Sequence, residues 1–421
     1  MAELYENQDL EEKVLLLGVS TQEEDMEALL DELAELADTA GAVVLGRVIQ
    51  NRESVHPGTY IGKGKIEEVR ALAEELGADG VISDDELTPA QLRGLEKELE
   101  LKVMDRTLVI LDIFAKHATT REGKLQVEMA QLGYRLARLS GLGKSLSRLG
   151  GGIGTRGPGE KKLETDRRLI KSRMACLRRE LRQMQLHRDT ARKQRLERSI
   201  PVAAIVGYTN AGKSTLLNAL TGADILAQDK LFATLDPTTR RTVLPGGQEL
   251  LLTDTVGFIR KLPHHLVEAF KSTLEEARYA DLILHVVDSA SPQMETQMEV
   301  VYETLQELGI TGKRVITLFN KRDLAKDMEL PKDLKASRIL RISAASGEGL
   351  SELRELLEET LLESCVLVEK VYPYAQAGDI ARVRRYGQII EEEYREDGIY
   401  IRYYAPSGDA GGKKQPGDAG A

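Results

Sequence analysis

At 421 residues the chain is too long for one hydrophobic core, and two to four domains are expected. Its 42% hydrophobic and 30% charged residues, with no apolar run near the ~20 that span a bilayer, exclude a membrane helix. The start Met-Ala-Glu-Leu-Tyr-Glu lacks the basic and apolar stretches of a secretory signal, and two cysteines exclude a disulfide frame, so a cytoplasmic location is expected. Cys176 and Cys365 are read as packing residues, since neither has a His or second Cys nearby. The net charge of −10 argues against a nucleic-acid ligand, but it is unevenly spread. Residues 134–198 hold 19 Lys/Arg against 6 Asp/Glu, a local +13, which leaves −23 for the rest. A basic limb on an acidic body is an electrostatic footprint for phosphate.

Within residues 1–115, expected to form one N-terminal subdomain, 13–115 alternate strand and helix signals. Apolar runs at 14–19, 42–46, 80–83 and, more weakly, 101–105 predict buried strands. Amphipathic stretches at 66–76 and 89–99 predict helices between them, the second opened by Thr88 as cap and Pro89 in the first turn. This alternation predicts a small parallel α/β subdomain.

Residues 116–198 read as a basic helical hairpin. Leu125, Met129, Leu132, Leu136 and Leu139 are spaced 4, 3, 4, 3, and Ile170, Met174, Leu177, Leu181 and Met184 repeat that spacing, with Leu163 one heptad earlier. Two matched narrow stripes can bury one another as an antiparallel coiled coil. Between them the tip loop, 140–160, holds eight glycines together with Lys144, Arg148 and Arg156. It cannot bury itself, and its three cations are the expected RNA contacts.

From 199 to 364 the α/β pattern returns, with strands expected at 202–206, 249–253, 282–287, 315–319 and 339–343 and a helix near 350–362. Each strand ends at a motif residue or a turn, which places the chemistry at the carboxyl edge of an open sheet. A small C-terminal α+β domain is expected over 365–406, strand-like at 365–371 and 398–404 with helix signals between. A disordered tail is expected over 407–421.

The motifs in the third segment define a nucleotide site. Gly207, Tyr208, Thr209, Asn210, Ala211, Gly212, Lys213, Ser214 and Thr215 fit a loop whose amides cradle phosphates. Lys213 is the point charge for the β/γ oxygens and Ser214 a direct Mg²⁺ ligand. In Asp254, Thr255, Val256 and Gly257, the Asp holds Mg²⁺ through water and the Gly amide senses the γ-phosphate. Phe232, Ala233, Thr234, Leu235 and Asp236 fit a first switch, in which Thr234 completes the Mg²⁺ shell only with GTP; Thr238, Thr239 and Thr242 compete for that role. Lys213, Thr234 and Gly257 are the catalytic candidates. Asn320, Lys321, Arg322 and Asp323 make the site specific for guanine, because the Asp carboxylate accepts from the ring N–H and exocyclic amine. Adenine would present it with an acceptor. Ser343, Ala344 and Ala345 are expected to close over the base with backbone amides. After Gly257 stands Phe258, which cannot orient an attacking water, so slow intrinsic hydrolysis is expected. Asn210 resembles the asparagine of potassium-assisted GTPases; bracing of the loop is the other reading.

With these residues placed, the chain resembles the HflX family of ribosome-associated GTPases over nearly its whole length. The specific marks are Gly58-Thr59-Tyr60-Ile61-Gly62-Lys63-Gly64-Lys65, Ala118-Thr119-Thr120-Arg121-Glu122-Gly123-Lys124-Leu125-Gln126-Val127-Glu128, the loop at 150–160, and the switch sequence at 232–238. The resemblance implies a Mg²⁺-dependent GTPase that binds GTP and GDP and acts on the large ribosomal subunit, splitting stalled or idle 70S ribosomes. It also supports Ser214 and Thr234 as Mg²⁺ ligands. A GTP-gated ribosome assembly factor, or an rRNA-remodelling scaffold without splitting activity, is the alternative, and a monomer off the ribosome is expected. The first of these stretches lacks a Gly-Lys-Ser/Thr ending, so a tight turn or RNA contact is expected there.

Overall fold

The computed structural model describes residues 11–21, 25–146, 158–196, 200–222, 230–262, 276–325, 330–363, 365–386 and 388–406. The chain forms two compact units. One comprises Met1–Gln185 with Gln228–Asp236 and Val256–Thr273; the other comprises Leu186–Ala227, Pro237–Thr255 and Leu274–Ala421.

In the first unit four parallel strands, β1 (Glu12–Ser20), β2 (Ala42–Asn51), β3 (Gly80–Ser83) and β4 (Lys102–Asp105), lie in the order β2-β1-β3-β4. Around them run α1 (Met26–Ala40), α2 (Lys63–Leu76), α3 (Pro89–Leu99) and α4 (Arg106–His117). The central strand β1 is buried from Val14 to Val19, as expected of a strand covered on both faces. Leu15, Leu17, Val48, Val69, Val81 and Leu95 form the core on one side. Helix α3 opens with a full capping box: the Thr88 hydroxyl accepts from Gln91 N–H, and the Gln91 amide oxygen accepts from Thr88 N–H at 3.0 Å. The stretch with Gly58 folds as the expected tight turn, closed by reciprocal 2.9 Å bonds between His56 and Tyr60.

Helices α5 (Arg121–Leu146) and α6 (Pro158–Leu196) form the basic pair. Leu125, Met174 and Leu177 of the two heptad stripes are buried, and Arg173 clasps the Glu128 carboxylate through two bonds of 2.6 and 2.8 Å. Helix α5 continues to Leu146, so it absorbs the first part of the loop expected from residue 140. Lys144 therefore falls on a helix, whereas Arg148 and Arg156 lie outside the described residues. The root of α5 is fixed through buried Asp105. Its carboxylate accepts from Tyr134 Oη at 2.8 Å, Arg138 Nη2 at 2.6 Å and the amides of Leu87 and Leu108.

In the second unit six strands, β5 (Val202–Gly207), β6 (Thr238–Val243), β7 (Glu249–Asp254), β8 (Leu282–Asp288), β9 (Arg314–Asn320) and β10 (Arg338–Arg341), take the order β10-β9-β8-β5-β7-β6. All neighbours are parallel except β6, which pairs antiparallel with β7 at the edge. Helices α7 (Lys213–Thr221), α8 (Met294–Glu307) and α9 (Leu350–Leu362) complete it. Beyond it, β11 (Cys365–Tyr372), α10 (Ala377–Tyr386), β12 (Gln388–Arg395) and β13 (Gly398–Pro406) build an antiparallel sheet, β11-β13-β12. Cys176 and Cys365 are both half-buried free thiols. Among the described residues no helix is long and apolar enough to cross a membrane.

Candidate nucleotide site and switch segments

In the second unit the carboxyl ends of β5, β7 and β9 bring the phosphate-loop, Asp254 and base-loop motifs to one edge of the sheet. The loop leaves β5 at Gly207, where a Cβ would stand 2.2 Å from the Val286 carbonyl oxygen. It turns through Asn210, in the left-handed region at φ 60°, and enters α7 after Gly212 at φ 91°. A side chain at Gly212 would be strained in φ, and its Cβ would meet Asn320 Nδ2 at 2.3 Å. No side chain caps α7, and the partial positive charge of its N-terminus suits an anion.

Lys213 is 6% exposed, and its ammonium donates to the Tyr208 carbonyl at 2.7 Å. Burial lowers its pKa to about 8, against the opposing pull of Asp254. Ser214 Oγ donates to Asp254 Oδ2 at 2.7 Å, and Asp254 is fully buried. A hydroxyl and a carboxylate held this close supply the hard oxygen donors Mg²⁺ takes, alongside phosphate oxygens and water. The residues therefore fit the ion. Thr255 Oγ1 donates to the Ile205 carbonyl at 2.8 Å, tying the end of β7 to β5.

Asn320, a candidate base-site residue, is a bridge. Its Nδ2 donates to the Ala211 carbonyl and its Oδ1 accepts from the Ala344 amide, both at 2.9 Å. One side chain thus locks the phosphate loop to the base loop. Lys321 stands at φ 62° with its ammonium 2.8 Å from Asp288 Oδ2, and Arg322 pairs with Glu348 at 3.1 Å. The carboxylate of Asp323 accepts from Ser343 Oγ at 2.6 Å, which fixes its orientation. The Ser343 amide donates to the Glu348 carbonyl. Of the three amides expected over the base, two are therefore committed to the fold, leaving that of Ala345. Asp288, Glu348 and the Ser343 hydroxyl were not signalled by the motifs, because each acts across the sheet edge.

Phe232, Ala233, Thr234, Leu235, Asp236, Val256 and Gly257 belong to the first unit. Phe232 is buried at φ 55° and meets the Phe114 ring edge-on at 4.8 Å. Leu235 and Phe258 are buried too. Asp236 accepts from the Thr119 amide at 3.0 Å and hydroxyl at 2.7 Å, and from the Thr120 amide at 2.8 Å and hydroxyl at 2.5 Å. Burial pushes its pKa up, but these four donors outweigh it and hold the carboxyl below the usual range. Downstream of Gly257, Lys261 at φ 52° reaches Asp84 and Asp85, 2.7 Å from each. Burial lowers its pKa, yet the two carboxylates raise it overall. Thr238, Thr239 and Thr242, the alternatives to Thr234, all lie on β6. Thr239 Oγ1 is 3.0 Å from Thr253 Oγ1, and Thr242 Oγ1 donates to the Leu220 carbonyl at 2.9 Å.

Residues 27–115 match the family described as GTP-binding GTPase N-terminal, 117–195 the GTP-binding GTPase Middle Region, and 202–321 the 50S ribosome-binding GTPase. The chain is similar to "GTPase HflX" of Lacrimispora saccharolytica, with 63% identity over 97% of this chain and 96% of the relative. Identity to the protein of that name is 51% in Caldanaerobacter subterraneus subsp. tengcongensis (93% and 90% covered) and 42% in Escherichia coli (85% of each). A solved GTP-binding protein of Sulfolobus solfataricus in complex with GDP is 26% identical, covering 82% of this chain and 98% of its own, at a TM-score of 0.43.

Proposed function

Because the chain belongs to the HflX family of GTPases, we propose that it acts on the large ribosomal subunit and splits stalled or idle 70S ribosomes in a GTP-gated cycle. The observation that carries the catalytic half is the pre-aimed guanine reader: Asp323 held by Ser343, with Asn320 fastening that loop to the phosphate loop. Residues 207–215 cradle the phosphates, with Lys213 at the β/γ oxygens. Asp323 accepts from guanine, and the Ala345 amide donates to its carbonyl oxygen. Mg²⁺, when bound, neutralises charge on the transferring phosphoryl group; Ser214 and Thr234 would hold it directly and Asp254 through water. The Gly257 amide senses the γ-phosphate. The buried Phe258 side chain offers no hydrogen bond to a water, so a slow intrinsic rate is expected, with the water positioned by backbone, by a partner or by a second cation.

The ribosomal half rests on the match of residues 202–321 and on the +13 of residues 134–198. A one-signed helical pair suits an RNA cleft, where phosphate contacts dominate affinity. Light scattering of purified 70S ribosomes mixed with the protein tests the reading. Scattering should fall with GTP and hold steady with GDP. Binding without a fall would instead favour the assembly factor.

A further inference from the structure

The strongest feature outside the nucleotide site is the carboxylate of Asp236, two residues beyond Thr234. Four donors, two backbone and two hydroxyl, converge on this one half-buried carboxylate. The donors stand immediately before Arg121, where α5 begins, and Thr120 Oγ1 also caps that helix by accepting from Gly123 N–H at 3.0 Å. The fit is close. A Cβ on Gly123 would come within 2.4 Å of Asp236 Oδ1, so any side chain there would make the carboxylate shift from this position. Upstream of Asp236, Leu231, Phe232 and Leu235 are each buried, with Phe232 against Phe114 of α4. The 231–236 stretch is thereby fixed at both ends.

We propose that Thr119 and Thr120 are positioning residues for GTP hydrolysis, which set the placement of Thr234 by gripping Asp236. The inference rests on the reading of 232–236 as the segment that completes the Mg²⁺ shell. A ligand held in place beforehand costs no ordering entropy when GTP arrives, and misplacement by about 1 Å can cost on the order of 100-fold in rate. The grip also ties the switch segment to the first turn of α5.

Gly123→Ala is the decisive variant, because it keeps every donor and the acceptor and improves helix propensity while crowding the carboxylate out of its present position. Single-turnover kcat should fall at least about tenfold, while KM for GTP and GDP affinity stay within about threefold. Hydrogen exchange at the Thr119 and Thr120 amides should accelerate. Asp236→Ala should do the same, and Thr120→Val should slow hydrolysis where Thr120→Ser restores it. Unchanged or increased kcat in Gly123→Ala with faster exchange would reduce the joint to a structural contact, and unchanged exchange in Asp236→Ala would show that it does not persist in solution. Thr234→Ala tests the parent reading separately. If it keeps full Mg²⁺-dependent preference for GTP over GDP while Gly123→Ala slows hydrolysis, the Mg²⁺ assignment fails and the joint stands.

Discussion

Burial leaves Lys213 poised between charge states in the ligand-free protein, with its pKa drawn down to about 8. Phosphate oxygens would supply the countercharge that burial removed, so binding favours the ammonium. The sign follows directly. Below pH 8 the lysine is already charged and nucleotide affinity should be flat. Above it, the free protein loses a proton that the complex keeps, so affinity should fall by up to about tenfold per pH unit. Titration calorimetry of GDP at pH 8.5 in two buffers of different ionisation enthalpy should reveal proton uptake, which Lys213→Met abolishes. Asp323 is predicted to carry the choice of base. Asp323→Asn replaces an acceptor by a donor and should shift preference from GTP toward xanthosine triphosphate, read by competition binding. Retention of full GTP affinity with indifference to the xanthine nucleotide would remove Asp323 from the base site.

Among the elements, the buried parallel strands were plain in the sequence because continuous apolar runs bounded by turns have few other readings. Expected and observed limits agree closely at β3, and β5, β7 and β9 each extend to the motif residue that follows. Two strands were not visible. β6, Thr-Thr-Arg-Arg-Thr-Val, is a polar edge strand that burial does not mark, and its threonines read instead as switch candidates. β12 carries three consecutive glutamates and reads as helix; it is a strand because β13 pairs with it. The joints at Asn320, Asp236 and Lys261 were equally hidden, since each meets a partner tens of residues or more away in the chain and no spacing rule encodes that. β8 hides one more such group. His285 is fully buried beside the Tyr302 ring of α8, and Tyr302 Oη and Thr317 Oγ1 both donate to Asp333 at 2.5 Å. Burial lowers the His285 pKa to about 4, although Asp333 pulls it upward. The unfolded chain thus binds the extra proton between pH 6.5 and 4, and stability is lost as pH falls through that window. From pH 7 to pH 5 the loss from this group should be about 2 kcal/mol. Urea unfolding should show it in the parent chain, and His285→Leu should flatten that part of the pH profile whatever its cost at pH 7.

Across the whole molecule, charge is divided by function: residues 134–198 carry +13 in a chain whose total is −10. Acidic surfaces elsewhere discourage indiscriminate RNA binding, so the basic segment alone should set the ionic-strength dependence of ribosome binding. Several of its cations are already spent within the protein. Arg138 is paired with Asp105 and Arg173 with Glu128, and Arg121 just before the segment pairs with Glu180 within it. Lys144 is near the end of α5, Arg148 and Arg156 lie outside the described residues, and the three are the expected phosphate contacts. Replacing all three with Ala should leave GTP binding unchanged, because none belongs to the nucleotide site. Ribosome affinity should fall, and the log–log slope against salt should become shallower by about two to three units, close to one for each phosphate contact removed. Sedimentation binding at several salt concentrations gives both numbers. An unchanged slope would move the footprint to the remaining cations of α6, such as Arg167, Arg168 and Lys171, whose replacement should then produce the shallower slope instead.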